Sequence, residues 1–301
     1  MTLVARKLNG GSHMTDKKSV VVTGVSTGIG WGISKVLLAK NFQVYGTVRK
    51  PADAARLQTE FGSDFLPLLL DVTDESAVRS AAAQVKERLG QATLAGLVNN
   101  AGIVVAGPLL HLPLEAFRQQ LEVNLVAPLL VTQVFAPLLG TDRTRKGKPG
   151  RIVNISSVGG KLGVPFLGAY VASKHGLEGM SESLRRELLL YGIDVIVIGP
   201  GSVATPIWQK TESADFNAYQ GTDYGPSLDN FRKFFSEEGR KGFPPEEIGQ
   251  AVHVALTTAR PKVRYAIVPR RLVNWTLPMM LPKRFVDKII GKQLGLLGAR
   301  A

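Results

Sequence analysis

The residue types able to move a proton stand close together in one stretch of this chain. Tyr170 and Lys174 are four positions apart, the spacing that puts two side chains on one face of a helix. A free phenol has a pKa of about 10, too high for efficient proton exchange near neutrality, and a neighbouring ammonium favours the phenolate and lowers that value. The spacing therefore predicts an acid/base tyrosine made more acidic by Lys174. Ser157, thirteen positions before Tyr170, ends the run Ile155, Ser156, Ser157. Its hydroxyl can steady an oxygen that gains charge during a reaction, which stabilises a transition state more than a ground state. Each residue alone has an ordinary explanation, a surface pair or a satisfied hydroxyl. Only their joint occurrence argues for chemistry.

A second constellation lies near the start. An apolar run at 20–23 leads into Thr23, Gly24, Val25, Ser26, Thr27, Gly28, Ile29 and Gly30, and then into a helical pattern at 31–40. Glycines at a strand-to-helix turn let the backbone fold tightly and approach a pyrophosphate, whose charge is met by free N–H groups and the positive helix end.

These groups need a frame, and the hydrophobic pattern supplies one. Strand-like runs at 20–23, 43–48, 65–70, 94–99, 151–155, 194–198 and 265–268 alternate with helical stretches, among them continuous helices at 113–139 and 167–191. Alternation of this kind predicts an α/β fold with a parallel seven-stranded sheet. Residues 1–14 read as an expression-vector remnant, from the run Gly11, Ser12, His13, Met14, and 15–301 as a single domain. Residues 202–243 are long, mixed and irregular, and follow the sixth strand. In open parallel sheets ligands bind at the carboxyl edge of the strands, so this stretch is expected to be a lid over a substrate.

The glycine spacing Gly-x-x-x-Gly-x-Gly resembles that of the short-chain dehydrogenase/reductase family. The family's other marks follow in order: Asn99, Asn100, Ala101 and Gly102 ending the fourth strand, Asn124 in the next helix, then Ser157, Tyr170 and Lys174, and finally Pro200, Gly201, Val203 and Thr205. The resemblance covers 18–206 and implies a doubly wound Rossmann sheet. It implies hydride transfer between a nicotinamide and a carbonyl or secondary alcohol, with Tyr170 protonating the oxygen and Ser157 steadying it. It also implies that Lys174 grips the nicotinamide ribose and that Asn124 holds a water relaying protons to Lys174. Asp71 and Val72 are placed at the adenine, Asn100, Ala101 and Gly102 at the adenosine ribose, and Val203 and Thr205 at the carboxamide. At the end of the second strand an NAD-preferring member carries an acid, but here Val48 is followed by Arg49 and Lys50. A guanidinium there pairs with a 2′-phosphate, so NADP(H) is favoured over NAD(H).

Composition narrows the remaining classes. There are no cysteines, which rules out disulfides and thiol chemistry, and the four histidines show no ligand spacing, so no metal is expected. No uninterrupted apolar run reaches the roughly 18 residues of a spanning helix, and a soluble cytoplasmic protein is expected. The formal net charge is +13, but ten lysines and arginines against one acid lie in 260–301, so the main body is nearly neutral. No nucleic-acid partner is expected on that basis. The basic tail, 269–301, resembles those of retinol- and steroid-type members. Its segment 282–297 reads as an amphipathic helix with Phe285, Val286, Ile289 and Ile290 on one side and Arg284 and Lys288 on the other. Such a helix can dock on its own domain, meet another subunit or lie at a membrane surface.

Trp208, Phe216, Tyr219, Phe231, Phe234 and Phe235 in the lid suit a lipophilic steroid-, retinoid- or aliphatic-type substrate, and core packing explains them equally well. Two other functions stay open: a 3-oxoacyl-carrier reductase, and a non-catalytic NADP-sensing or surface-binding protein. A homodimer or homotetramer is expected from the family's habit of pairing through the helices that carry Asn124 and Tyr170.

Overall fold

The computed structural model describes residues 17–206 and 216–298. The leader at 1–14 and Trp208 lie outside them. Seven strands, β1 (Ser19–Val22), β2 (Gln43–Val48), β3 (Phe65–Leu69), β4 (Gly96–Asn99), β5 (Arg151–Ile155), β6 (Asp194–Pro200) and β7 (Arg264–Ile267), form one parallel sheet in the order β3-β2-β1-β4-β5-β6-β7. Every neighbouring pair is parallel. The fold is the expected α/β Rossmann type in a single domain. The strand order turns back between β1 and β4, the position at which open sheets bind ligands.

A parallel sheet covered on both faces needs apolar side chains at successive positions, and β1 is the continuous run Ser-Val-Val-Val, buried throughout. Alternate residues feed opposite layers. Val20, Val22, Val98, Val153 and Ile196 join Ile33, Leu37, Ile248 and Val252 on one face. Val21, Leu97, Ile152 and Val195 join Val78, Val85, Val131 and Phe135 on the other. The helices of the first face are α1 (Gly28–Ala39) and Pro245–Thr257. They approach so closely that a Cβ on Gly249 would stand 2.7 Å from the Gly32 carbonyl oxygen. The second face carries α3 (Glu75–Leu89), whose first turn is capped by Asp74 accepting from the Ala77 N–H at 3.0 Å.

Two helices differ from the sequence expectation. The stretch expected to be one helix at 113–139 is α4 (Leu114–Leu121), a π turn at Glu122–Val126, α5 (Ala127–Ala136) and a second π turn at Pro137–Thr141, with Gly140 at φ 120°. Pro128 and Pro137 lack the N–H that an uninterrupted ladder needs, and the ladder widens around both. By length and composition Leu114–Thr141 is apolar enough to cross a membrane, although no uninterrupted run in it suggested so. In this fold Ala127, Val131 and Phe135 are buried against the sheet. The second expected helix, 167–191, is α6 (Gly168–Glu187) followed by a 3₁₀ turn at Leu188–Tyr191.

The stretch after β6 closes on itself. Val203 bridges to Phe243, with the Ala204 N–H donating to the Phe243 carbonyl at 2.8 Å and the Phe243 N–H to the Ser202 carbonyl at 2.9 Å. Between these ends the helix Gly225–Arg240 carries Leu228 and Phe231 into a third apolar cluster with Phe166, Leu167, Phe216, Tyr219 and Leu294. The tail helix, Lys283–Leu294, packs on this segment: the Ser227 hydroxyl donates to the Gly295 carbonyl at 2.9 Å. Its apolar stripe is only partly covered. Ile290 and Leu294 turn inward, while Phe285 and Ile289 are about half exposed (52% and 49%).

Candidate active site

The glycine turn sits at the carboxyl edge of β1, between β2 and β4. Gly24 (φ 68°) and Gly28 (φ 60°) have the positive φ that side chains oppose. Gly30 is required for a different reason: a Cβ there would lie 2.2 Å from the Gly24 carbonyl oxygen and 2.6 Å from Asn100 Nδ2. The turn is fastened to both neighbouring strands. Thr47 Oγ1 accepts from the Gly24 N–H at 2.9 Å, Thr23 Oγ1 accepts from the backbone N–H groups of Asn100 (2.9 Å) and Ala101 (3.0 Å), and Asn100 Nδ2 donates to the carbonyls of Thr23 and Gly24. Asn100 therefore braces the cradle. Thr27, at the amino end of α1, is exposed and makes no side-chain cap, so the first N–H groups of α1 lack a cap from Thr27.

Val48, the last residue of β2, is buried, and beyond it Arg49 and Lys50 are exposed. The Arg49 guanidinium stands 3.8 Å from Asp71, the residue expected at the adenine. Burial works to raise the Asp71 pKa but is outweighed by the Thr73 N–H and hydroxyl and by Arg49, which together hold it below its ordinary value. Val72 and Ala101 line a narrow hollow with Thr23 and Asn99. Arg56, which the sequence reading missed, donates to the Ser26 carbonyl at 2.6 Å and brings another cation to the glycine turn. Its only signal was a charge one helical turn into α2 (Pro51–Phe61). A cradle closed to any side chain at Gly30, with Arg56 bonded to its Ser26 carbonyl, fits a dinucleotide.

On the other side of the switch point, Ser157 caps a 3₁₀ turn, Val158–Gly160, and accepts from the Gly159 N–H at 3.0 Å. The Tyr170 ring lies over this turn, with its Cε1 3.4 Å from where a Gly159 Cβ would sit. Lys174 is buried below: its Nζ donates to the Ile155 carbonyl at 2.8 Å and stands 5.8 Å from the centre of the Tyr170 ring. Burial lowers the Lys174 pKa to about 8, against the opposing effect of the Glu178 carboxylate. Ser157, Tyr170 and Lys174 thus converge as the sequence predicts, but the expected acidity does not follow. Burial raises the Tyr170 pKa, and the hydrogen bond with Ser157 offsets this only in part. The Lys174 ammonium, bonded to the Ile155 carbonyl, does not outweigh that burial.

Asn124 is fully buried in the first π turn, where Oδ1 accepts from the Ile103 N–H at 2.9 Å and Nδ2 donates to the Ile103 carbonyl at 3.0 Å and to Ser173 Oγ at 3.3 Å. It fixes the loop after β4 to α6. A Cβ on Gly102 would approach its Oδ1 to 3.2 Å. After β6, the Gly201 N–H donates to the Ile267 carbonyl at 2.8 Å, Val203 is buried in the bridge to Phe243, and the Thr205 side chain lies 3.2 Å from where a Gly28 Cβ would stand. The loop after β6 therefore meets the glycine turn, and the cradle and the Ser157–Tyr170–Lys174 group share one edge.

Comparison with known proteins agrees with this architecture. Residues 18–215 match the family model described as short chain dehydrogenase. The chain is 39% identical over 274 residues to the NADPH-dependent 3-dehydrocapnine reductase of Ornithobacterium rhinotracheale, covering 91% of this chain and 96% of that protein. It is 32% identical over 287 residues to retinol dehydrogenase 5 of Mus musculus, covering 90% and 87%. A short chain dehydrogenase/reductase of Burkholderia phymatum, solved in complex with NAD, superimposes with a TM-score of 0.73 at 21% identity, over 91% of this chain and 95% of that one. With its sheet, its glycine turn and these matches together, the chain belongs to the short-chain dehydrogenase/reductase family and is an oxidoreductase of CH–OH and C=O groups.

Proposed function

We propose that the protein is an NADP(H)-dependent reductase of a lipophilic ketone, working in reverse as a secondary-alcohol dehydrogenase. The observation that carries this reading is the stacking of Tyr170 over the Ser157 turn with Lys174 buried beneath, on the same edge as the glycine cradle. Gly24, Ser26, Thr27, Gly28, Ile29 and Gly30 would hold the pyrophosphate; Asp71, Val72, Asn100, Ala101 and Gly102 the adenosine; Pro200, Gly201, Val203 and Thr205 the nicotinamide side. Arg49 and Lys50 would meet the 2′-phosphate. When bound, the dinucleotide supplies or accepts a hydride.

The protein's own part is to handle the proton. Tyr170, held protonated by its burial, is suited to donate to a carbonyl oxygen as that oxygen gains charge, and Ser157 is placed to bind the same oxygen. The buried Lys174 ammonium then faces a phenolate it can stabilise. Asn124 positions the loop at Ile103 rather than touching substrate. In the oxidation direction the phenolate is needed first, so burial of the phenol favours reduction near neutral pH.

The substrate class rests on the lid, whose Phe216, Tyr219 and Phe231 pack with Phe166 and, at their margin, with Tyr170 itself. The similarity to a protein named for reducing a 3-dehydro compound supports the reductive direction. In the tail, exposed Val273, Met280, Phe285 and Ile289 alternate along the sequence with exposed Arg271, Arg284 and Lys288. Apolar side chains within a basic rim fit an anionic membrane surface, so the reading includes peripheral contact there. It also includes a homodimer or homotetramer through the helices of Asn124 and Tyr170, where Leu114 and Val126 are exposed.

Oxidation of NADPH and NADH should be followed side by side over steroid, retinoid, aliphatic and carrier-bound carbonyls. Turnover of free lipophilic ketones with NADPH supports the proposal, and turnover confined to carrier-bound thioesters replaces it by the acyl-carrier reading. Sedimentation with phosphatidylserine vesicles, lost in Phe285→Ser/Ile289→Ser, tests the surface.

A further inference from the structure

A buried ion pair lies behind the proton-handling group and takes no part in the chemistry above. Arg264 Nε donates to both carboxylate oxygens of Glu178 at 3.0 Å, and its NH2 reaches one of them at 3.0 Å. The two side chains are only 17% and 5% exposed. The same NH2 donates to the backbone carbonyl of Ser157 at 3.3 Å, and the guanidinium stacks on Trp275 with its carbon 4.5 Å from the ring centre. Glu178 lies one helical turn beyond Lys174 on α6, and Arg264 opens β7 at the sheet edge.

Space for the pair is built into the backbone. A Cβ on Gly199 would strike Arg264 NH2 at 2.3 Å, and one on Gly160 would stand 3.0 Å from the Glu178 carboxylate. Two glycines from different elements therefore leave room for one interaction. Burying an ion pair is costly in itself and gives little net stability compared with apolar packing. A pair retained beside a reactive group, with room made on both sides, points to a role in that group's geometry.

Resting on the reductase reading, we propose that Glu178 and Arg264 are a positioning pair. It ties the strand end that carries Ser157 to the helix that carries Tyr170 and Lys174, and places a counter-charge under the Lys174 ammonium. Among the described residues, the charged and titratable groups facing this spot are Tyr170, Lys174 and Glu178 on α6, Lys161 from the segment after the 3₁₀ turn, 3.5 Å from Glu178, and Arg264 from β7, while β5 presents the Ile155 carbonyl. Lys161 is 40% exposed and screened, so the short contact to the carboxylate is Arg264's.

The test reads Lys174 directly in the ligand-free protein, through the pH titration of its ¹³Cε resonance, identified by its absence in Lys174→Arg. The wild-type midpoint should lie at about 8. In Glu178→Gln it should fall by about one pH unit, because the opposite charge is gone, and Glu178→Asp should restore it. The variant Glu178→Gln/Arg264→Gln leaves no unpaired charge, so it should fold where the single variant does not, and it should still titrate below wild type. For a ketone turned over in the carbonyl panel, kcat in Glu178→Gln should fall about 10–100-fold through misplacement of Ser157. A wild-type midpoint in folded Glu178→Gln or in the double variant, or a lowered midpoint that Glu178→Asp does not restore, overturns the proposal. Because the titration needs neither dinucleotide nor ketone, its failure is distinct from failure of the reductase reading.

Discussion

The two halves of this active edge are held together in different ways. Around the dinucleotide cradle every contact engages the backbone: Gly30 lies against the Gly24 carbonyl, the Asn100 side chain ties the turn to the end of β4, and the Thr23 and Thr47 hydroxyls bind N–H groups across strands. In the segment proposed as a lid, Phe216, Phe231, Tyr219 and Leu294 pack side chain on side chain, and a strand-like backbone bridge joins the ends at Val203 and Phe243. The first arrangement tolerates almost no change of atom. The second tolerates change of shape, which suits the proposed role of this segment as a substrate lid on a common frame.

That contrast can be broken from either side. The largest effect is expected from Gly30→Val: its Cβ has no room beside the Gly24 carbonyl, so the variant should lose more than about 4 kcal/mol of stability and all NADPH binding, read by thermal melting and by nucleotide fluorescence. Phe231→Ala opens a hole in the core of the proposed lid and should cost about 3–5 kcal/mol, part of it absorbed by local loosening. It should raise the KM for ketone and leave the Kd for NADPH within about twofold, the expectation for a cluster separate from the cradle.

Next comes a pH effect. The folded pKa of Lys174, about 8, lies below its ordinary 10.5, so between these values the unfolded chain binds more protons and stability rises with pH. The cost of charging Lys174 is complete below pH 8. Lys174→Met, in which Glu178 keeps Arg264 and Lys161, should therefore be more stable than wild type at pH 7 by roughly 3 kcal/mol, with the gain fading towards pH 10.5 in denaturant titrations. The smallest effect belongs to the exposed rim: Arg49→Ala should weaken NADPH about tenfold and leave NADH nearly unchanged, measured as the ratio of their Kd values.

The same contrast explains what was legible in the sequence. Glycines at Gly24, Gly28 and Gly30 and the four-residue spacing of Tyr170 and Lys174 are local demands of backbone geometry, and local demands leave local marks. The strands were readable because a sheet covered on both faces needs runs such as Val20, Val21, Val22. The breaks at Pro128 and Pro137 were masked by apolar periodicity on either side of each proline. Arg56, Glu178 and Arg264 were not found, because each acquires its partner across the fold: Arg264 is 86 positions from Glu178 and 107 from Ser157. The direction of the Tyr170 pKa was misread for the same reason. Spacing on a helix says that an ammonium is near, but not that the fold buries the phenol deeply enough to outweigh it.

The most direct test of the central claim is Tyr170→Phe, assayed for ketone-dependent NADPH oxidation at saturating nucleotide beside a measurement of NADPH affinity. Loss of turnover by about 10²–10⁴-fold with affinity retained is the predicted result. Turnover equal to wild type, at the same NADPH affinity, would contradict a reaction that depends on this phenol.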